Sequence, residues 1–188
     1  MHHLTATEIE DAAGVHTGDA MVWLDAGDAA SSIEALPYVA TARLTREWPD
    51  TVRIVVRERR PAAWVEGPSG ATLVDGTGRV LEVVDQLPAG MPELLGAHVI
   101  PPPGGRIDAL DAAKVAGALH GIAAAGTKSV ETTDHGVVLH LLSGPEIRMG
   151  EPNRIGVKVR AALAVLGASA GVPVTYVDVS VPTNPVRG

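Results

Sequence analysis

Residues 41–64 read TARLTREWPDTVRIVVRERRPAAW, and the fold turns on which of these side chains share a side. Six arginines alternate with apolar residues around a central Trp-Pro-Asp. Ala40, Ala42, Leu44 and Trp48 fall on one face of a first strand. Val52, Ile54 and Val56 share a face of a second, with Arg53, Arg57 and Arg59 opposite. The pattern predicts a β-hairpin. If Leu44 and Ile54 are to lie on the same side, paired positions must have equal parity and the loop must hold an odd number of residues. Pro49, Asp50 and Thr51 are the simplest choice. Pro49 supplies a fixed φ, and Asp50 tolerates a turn conformation.

Upstream, the period is helical. A short helix is predicted over 7–13, starting at Thr5 or Thr7, with Glu8 and Asp11 near its positive end and Gly14 ending it. A second covers 26–36, with Asp25 as N-cap, Ile33 and Leu36 inward and Pro37 closing it. Downstream of Pro61 come the short strands AAWVEG, ATLVD and RVLEVV, then a proline-rich connection. Asp108 is predicted to cap a helix running to about Ala124. SVETTD, GVVLHLL and EIRMG follow as strands. Asn153 opens the clearest helix, in which Ile155, Val159, Ala162, Leu163 and Leu166 keep one face. A last strand runs from Val174 to Val181. The expected class is α+β, with an ααββ domain over residues 1–60. A mostly antiparallel β domain with two packed helices follows over 61–188.

Composition narrows the function. The net charge of −7 opposes nucleic-acid binding, whose affinity comes from Lys and Arg displacing counterions, and 3% aromatic residues leave few platforms for bases. With no cysteine, a thiol nucleophile or thiolate zinc site is impossible. No run of 18 apolar residues occurs. The strand spacing of His135 and His140 points their side chains to opposite faces, against a metal site. Asp75-Gly76-Thr77-Gly78 reads as a hairpin turn, since no helix follows to make a phosphate loop. No nucleophile elbow or paired catalytic carboxylates are recognisable, so neither an enzyme nor a cofactor is expected.

Two surfaces remain. Arg43, Arg53, Arg57 and Arg59 place positive charge on the outer side of the hairpin. That is either a solvated sheet face or a contact for acidic headgroups or an acidic partner. In the last strand, Thr175, Tyr176, Val177, Asp178, Val179, Ser180 and Val181 alternate polar and apolar positions. At a sheet edge its main chain would be open to a partner strand. Pro182 and Pro185 would stop such pairing near Val181.

The order Leu36-Pro37, Val39, Ala42, Arg46, Trp48-Pro49, Glu58-Arg59, Pro61, then Leu73-Val74-Asp75 and Gly78, followed by a late helix and Tyr176-Val177-Asp178, resembles the FtsQ/DivIB bacterial cell-division proteins. The resemblance implies a POTRA domain lacking most or all of its first strand, followed by a β domain. It further implies a single-pass cell-membrane protein whose outer region is this fragment, placed at the division septum. The transmembrane helix and the first POTRA strand would lie upstream, and without that strand one hairpin edge is exposed. The partners so implied are FtsB-like and FtsL/DivIC-like coiled-coil proteins, bound by strand addition at residues 175–181 and linked indirectly to the septal peptidoglycan synthase. The alternative is a POTRA-bearing chaperone of an outer-membrane assembly or secretion machine, which would need a β-barrel downstream.

Overall fold

A computed structural model describes residues 3–19, 24–68, 70–122, 126–169 and 171–188. The chain forms two compact units, Met1–Arg60 and Pro61–Gly188.

In the first unit, helix α1 (Ala6–Ala13) starts at a capping box. Glu8 N–H donates to Thr5 Oγ at 3.2 Å, and Thr5 N–H donates to the Glu8 carboxylate at 2.8 Å. Gly14, at φ 63°, takes the left-handed conformation that ends the helix. Helix α2 (Ala26–Ala35) is capped by Asp25, whose carboxylate accepts from the Gly27 and Asp28 amides at 2.8 and 3.1 Å. Helix α2 packs on the antiparallel pair β1 (Val39–Glu47) and β2 (Thr51–Glu58), and α1 packs against α2, around a core of Ala13, Ala29, Ile33, Val39 and Leu44.

The hairpin differs from expectation in one detail. Glu47 pairs with Thr51, so the three loop residues are Trp48, Pro49 and Asp50, and Trp48 is 67% exposed instead of on the core face. Leu44 still faces Ile54. Sliding one strand by two residues keeps every side chain on its own face. The hydrophobic pattern therefore fixes parity and cannot choose between the two registers. A bulge between Val39 and Thr41 turns Val39 inward although it is out of phase with Ala42 and Leu44.

The second unit contains β3 (Pro61–Gly67), β4 (Gly70–Asp75), β5 (Val80–Val84), β6 (Glu93–Leu95), α3 (Leu110–Leu119), β7 (Thr127–Thr133), β8 (Gly136–Leu141), β9 (Glu146–Gly150), α4 (Ile155–Ala168), β10 (Tyr176–Asp178) and β11 (Val186–Arg187). Among the described residues, its nine strands form one sheet in the order β11-β10-β9-β8-β7-β6-β3-β4-β5. The pairs β3–β6, β6–β7 and β9–β10 are parallel and the remainder antiparallel. One face carries α3 and α4 over a core that includes Val65, Val74, Leu94, Val115, Leu119, Val130, Leu139, Ile147, Val159 and Val177. The class is α+β, as the patterning implies.

Helix α3 is shorter than predicted. Its cap position is Ala109, without a side-chain bond, and it ends at Leu119; Ala123 and Ala124 lie outside the described residues. Asp108 does not cap it. Its carboxylate accepts instead from the amides of Val99 and His98, at 3.3 and 3.0 Å, which holds it below the usual carboxylate range. In α4 the buried positions are Ile155, Lys158, Val159 and Ala162, while Leu163 is 40% exposed. A lysine takes an inward place because its Nζ reaches two main-chain carbonyls, Met149 O at 2.8 Å and Glu151 O at 2.9 Å.

The Asp75–Gly78 segment is the turn between β4 and β5. Asp75 Oδ1 accepts from Thr77 N–H (2.8 Å), Thr77 Oγ–H (2.7 Å) and Arg79 N–H (3.0 Å).

Candidate partner-binding edge

The last predicted strand forms only over Tyr176–Asp178, and it is not an edge. β10 lies between β9 and β11. On one side, Glu146 N–H donates to Thr175 O (2.9 Å) and Val179 N–H donates to Arg148 O (2.9 Å). On the other, Tyr176 N–H donates to Gly188 O (3.1 Å), Gly188 N–H returns to Tyr176 O (3.2 Å), and Asp178 stands opposite Val186. Thr175 N–H also donates to Gly188 O, at 2.7 Å. The next outward donor, Ser180 N–H, is taken by Asp178 Oδ1 at 2.9 Å, together with the Ser180 hydroxyl at 2.7 Å. The expectation of a main chain left open from Thr175 to Val181 is therefore corrected, because the chain pairs that edge with itself.

The physical reason lies in the two prolines. Pro182 and Pro185 bracket a tight turn, in which Asn184 N–H donates to Val181 O at 3.0 Å, and the turn brings Val186 and Arg187 back beside β10. Val177 and Val179 are fully buried toward the helices, as alternation predicts, but Val181 lies in the turn and is exposed. Sequence reasoning missed β11 altogether. A two-residue strand carries no period, and Val-Arg-Gly after a proline gives no other signal.

On the opposite face, a row of side chains crosses the sheet to β10. His140 Nε2 lies 3.1 Å from Glu131 and its Nδ1 3.7 Å from Glu146; Arg148 lies 3.4 Å from Glu146 and stacks over the Tyr176 ring at 3.9 Å. The row holds Tyr176 in a fixed orientation against Gly188. His135 sits apart, exposed in the turn between β7 and β8.

The arginine face of the hairpin is also reduced by its contacts. Arg53 is bound to Glu47 through two hydrogen bonds, 2.5 and 3.1 Å long. Arg59, expected on the outer face, is instead half-buried beside the bulge, where its Nε donates to Val39 O at 2.8 Å. Arg46, also in this ribbon, donates to Leu24 O. The side chains of Arg43 and Arg57, whose main chains pair with Val55 and Thr41, form no hydrogen bond or ion pair among the described residues. Of the four arginines expected on this face, Arg43 and Arg57 are the two whose charge is left open to solvent.

Comparison with known proteins bears on both units. The FtsQ-type POTRA domain family matches residues 1–59. Across the chain, similarity extends to proteins named cell division protein FtsQ. The one from Streptomyces venezuelae is 33% identical over 190 residues, covering 97% of this chain and 69% of that protein. The one from Streptomyces griseus is 30% identical over 193 residues, covering 97% and 89%. One from Mycobacterium leprae is 35% identical over 75 residues, covering 40% and 22%.

Proposed function

The chain belongs to the FtsQ family of cell-division proteins, and from that premise we propose that it is a non-enzymatic scaffold of the division machinery. In this reading it is held at the septal membrane by a transmembrane helix outside this sequence. Residues 1–60 form the POTRA-like module and residues 61–188 the β domain. The β domain takes a strand from a coiled-coil division partner of the FtsB-like or FtsL/DivIC-like kind, and so couples the membrane complex to septal peptidoglycan synthesis.

The observation that carries the proposal is the width of the sheet at this end. β10 is a regular strand whose outer neighbour is two residues long, and both of those residues are exposed. Of Val186, Arg187 and Gly188, Arg187 alone turns its N–H and C=O outward, because Val186 and Gly188 bond inward to β10. Pro185 has no N–H to offer. Strand addition outside β11 would therefore gain about one residue of pairing, whereas a strand that replaces β11 gains the edge of Tyr176 and Asp178.

The test is a proline at an outward donor. Asp178 points its N–H to this edge, while Val179 donates to β9 and is needed for the fold. In a chain ending at Val181, Asp178→Pro is expected to weaken binding of the partner's extracytoplasmic segment at least tenfold, on the order of 1.4 kcal/mol. The thermal unfolding transition should be kept. Undiminished binding by a folded Asp178→Pro chain would remove the strand-addition claim.

A further inference from the structure

The next step rests on the reading just given, that a partner strand pairs with the outer edge of β10. We infer that Val186–Gly188 is a stand-in for that strand, and that its own sequence states what the partner must present. The required ligand is an extended segment antiparallel to β10, with a small residue opposite Tyr176 and an arginine immediately before it.

Each part of that pattern has a contact behind it. Gly188 lies opposite Tyr176, and a Cβ placed on it would come within 2.5 Å of ring atom Cε1, 2.8 Å of Cζ and 2.9 Å of the hydroxyl oxygen. The ring cannot simply swing away, because the Arg148 guanidinium covers it at 3.9 Å. Glycine, or at most alanine with a small shift, fits there. Arg187 lies opposite Val177, and its guanidinium donates to Ser169 Oγ just past the end of α4. Ser169 is buried, and its hydroxyl proton is already given to Val165 O at 2.7 Å, so the oxygen is left to accept. A buried acceptor that a strand's arginine must satisfy is a recognition element, because a strand lacking that donor leaves it without this partner.

The same segment is built to leave. Neither Val186 nor Arg187 is buried, and the ladder they form is two residues long. The short turn from Val181 to Pro185 keeps the segment at high local concentration, so it competes with a partner strand even though its own contacts are few. Occupying the edge also shields it from unwanted pairing.

The experiment uses the chain shortened to end at Val181 and a fluorescent peptide, PTNPVRG, that restores the missing residues in trans. Fluorescence anisotropy is expected to show saturable binding to the shortened chain and at least tenfold weaker binding to the intact chain. Peptides carrying Arg187→Ala or Gly188→Val should each lose fivefold or more. No binding to a shortened chain that still unfolds cooperatively would overturn the inference, as would equal affinity for all three peptides. If shortening prevents folding, Arg187→Ala in the intact chain replaces it and is expected to admit the peptide where the unaltered chain does not. The extracytoplasmic segment of the coiled-coil partner is then titrated into both forms. At least tenfold tighter binding to the shortened chain is expected. Equal affinity overturns the stand-in role and leaves strand addition intact, whereas binding to neither form removes the underlying reading and this inference with it.

Discussion

Gly136→Ala is expected to destabilise the second unit by at least about 3 kcal/mol and to lower its unfolding temperature by roughly 10 °C. Gly136 opens β8 at φ 101°, a conformation that side chains rarely adopt. A Cβ built there would stand 2.2 Å from Gly150 O, 2.3 Å from its carbonyl carbon and 2.6 Å from its Cα. All three are main-chain atoms, so no rotamer change relieves the clash, and the end of β9 must move. That end holds Ile147 and Met149, both fully buried, and β9 is the strand on which β10 is laid. Gly144→Ala separates the two causes. Gly144 has φ 111° but nothing within 4 Å of a Cβ, so its variant should show conformational strain alone, about 1 kcal/mol. Thermal unfolding of both variants checks the claim. Equal and small losses would mean that β8 and β9 separate at this point more easily than their packing implies.

The second large effect is expected at Lys158, which is 2% exposed. Its ammonium joins the first half of α4 to the end of β9 through Met149 O and Glu151 O. Lys158→Ala removes the buried stem and both donors, and should cost about 3 kcal/mol. Lys158→Met keeps most of the stem and should cost about half as much. The pH dependence identifies the charge. Burial lowers the lysine's pKa from its usual 10.5, partly offset by the nearby Glu151 carboxylate. In the window between that lowered value and 10.5, the unfolded chain binds more protons than the folded one, so stability rises with pH. Below the window, both states carry the proton and the cost of the buried charge is constant. Denaturant unfolding should therefore show the unaltered chain gaining on Lys158→Met as pH climbs toward 10.5. A constant difference across that range would mean that Lys158 is not desolvated in the folded chain.

Where the sequence was readable, a period or a cap made it so. Thr5, one of the two candidate starts, and Asp25 cap their helices through side-chain acceptors three or fewer residues from the amides they bind, and those contacts are present. The alternation from Val52 to Val56 put Arg53 and Arg57 outside because each side chain in a strand has only two faces to choose from. Local chemistry says less about partners far along the chain. Asp108 looks like a cap until residues nine and ten positions upstream bring two amides to it. Lys158 takes an inward place only because Met149 O in β9 and Glu151 O just past it come within reach. β6 and β11 are three and two residues long, and they exist only because a neighbouring strand supplies the ladder. The free edge was misjudged for the same reason. Alternation located the strand's faces, but what lies beside a strand is decided by where the chain goes after it.

With β11 in place, a partner strand reaches β10 by strand exchange rather than by docking on an unpaired margin. Amide hydrogen exchange across residues 175–188 tests it most directly, with and without saturating partner segment. The Tyr176 and Asp178 amides should stay protected in both states, since one strand replaces another, while the Gly188 amide, which donates to Tyr176 O in the free chain, should lose its protection on binding. A Gly188 amide that remains equally protected in the saturated complex would contradict the exchange and place the partner elsewhere on the protein.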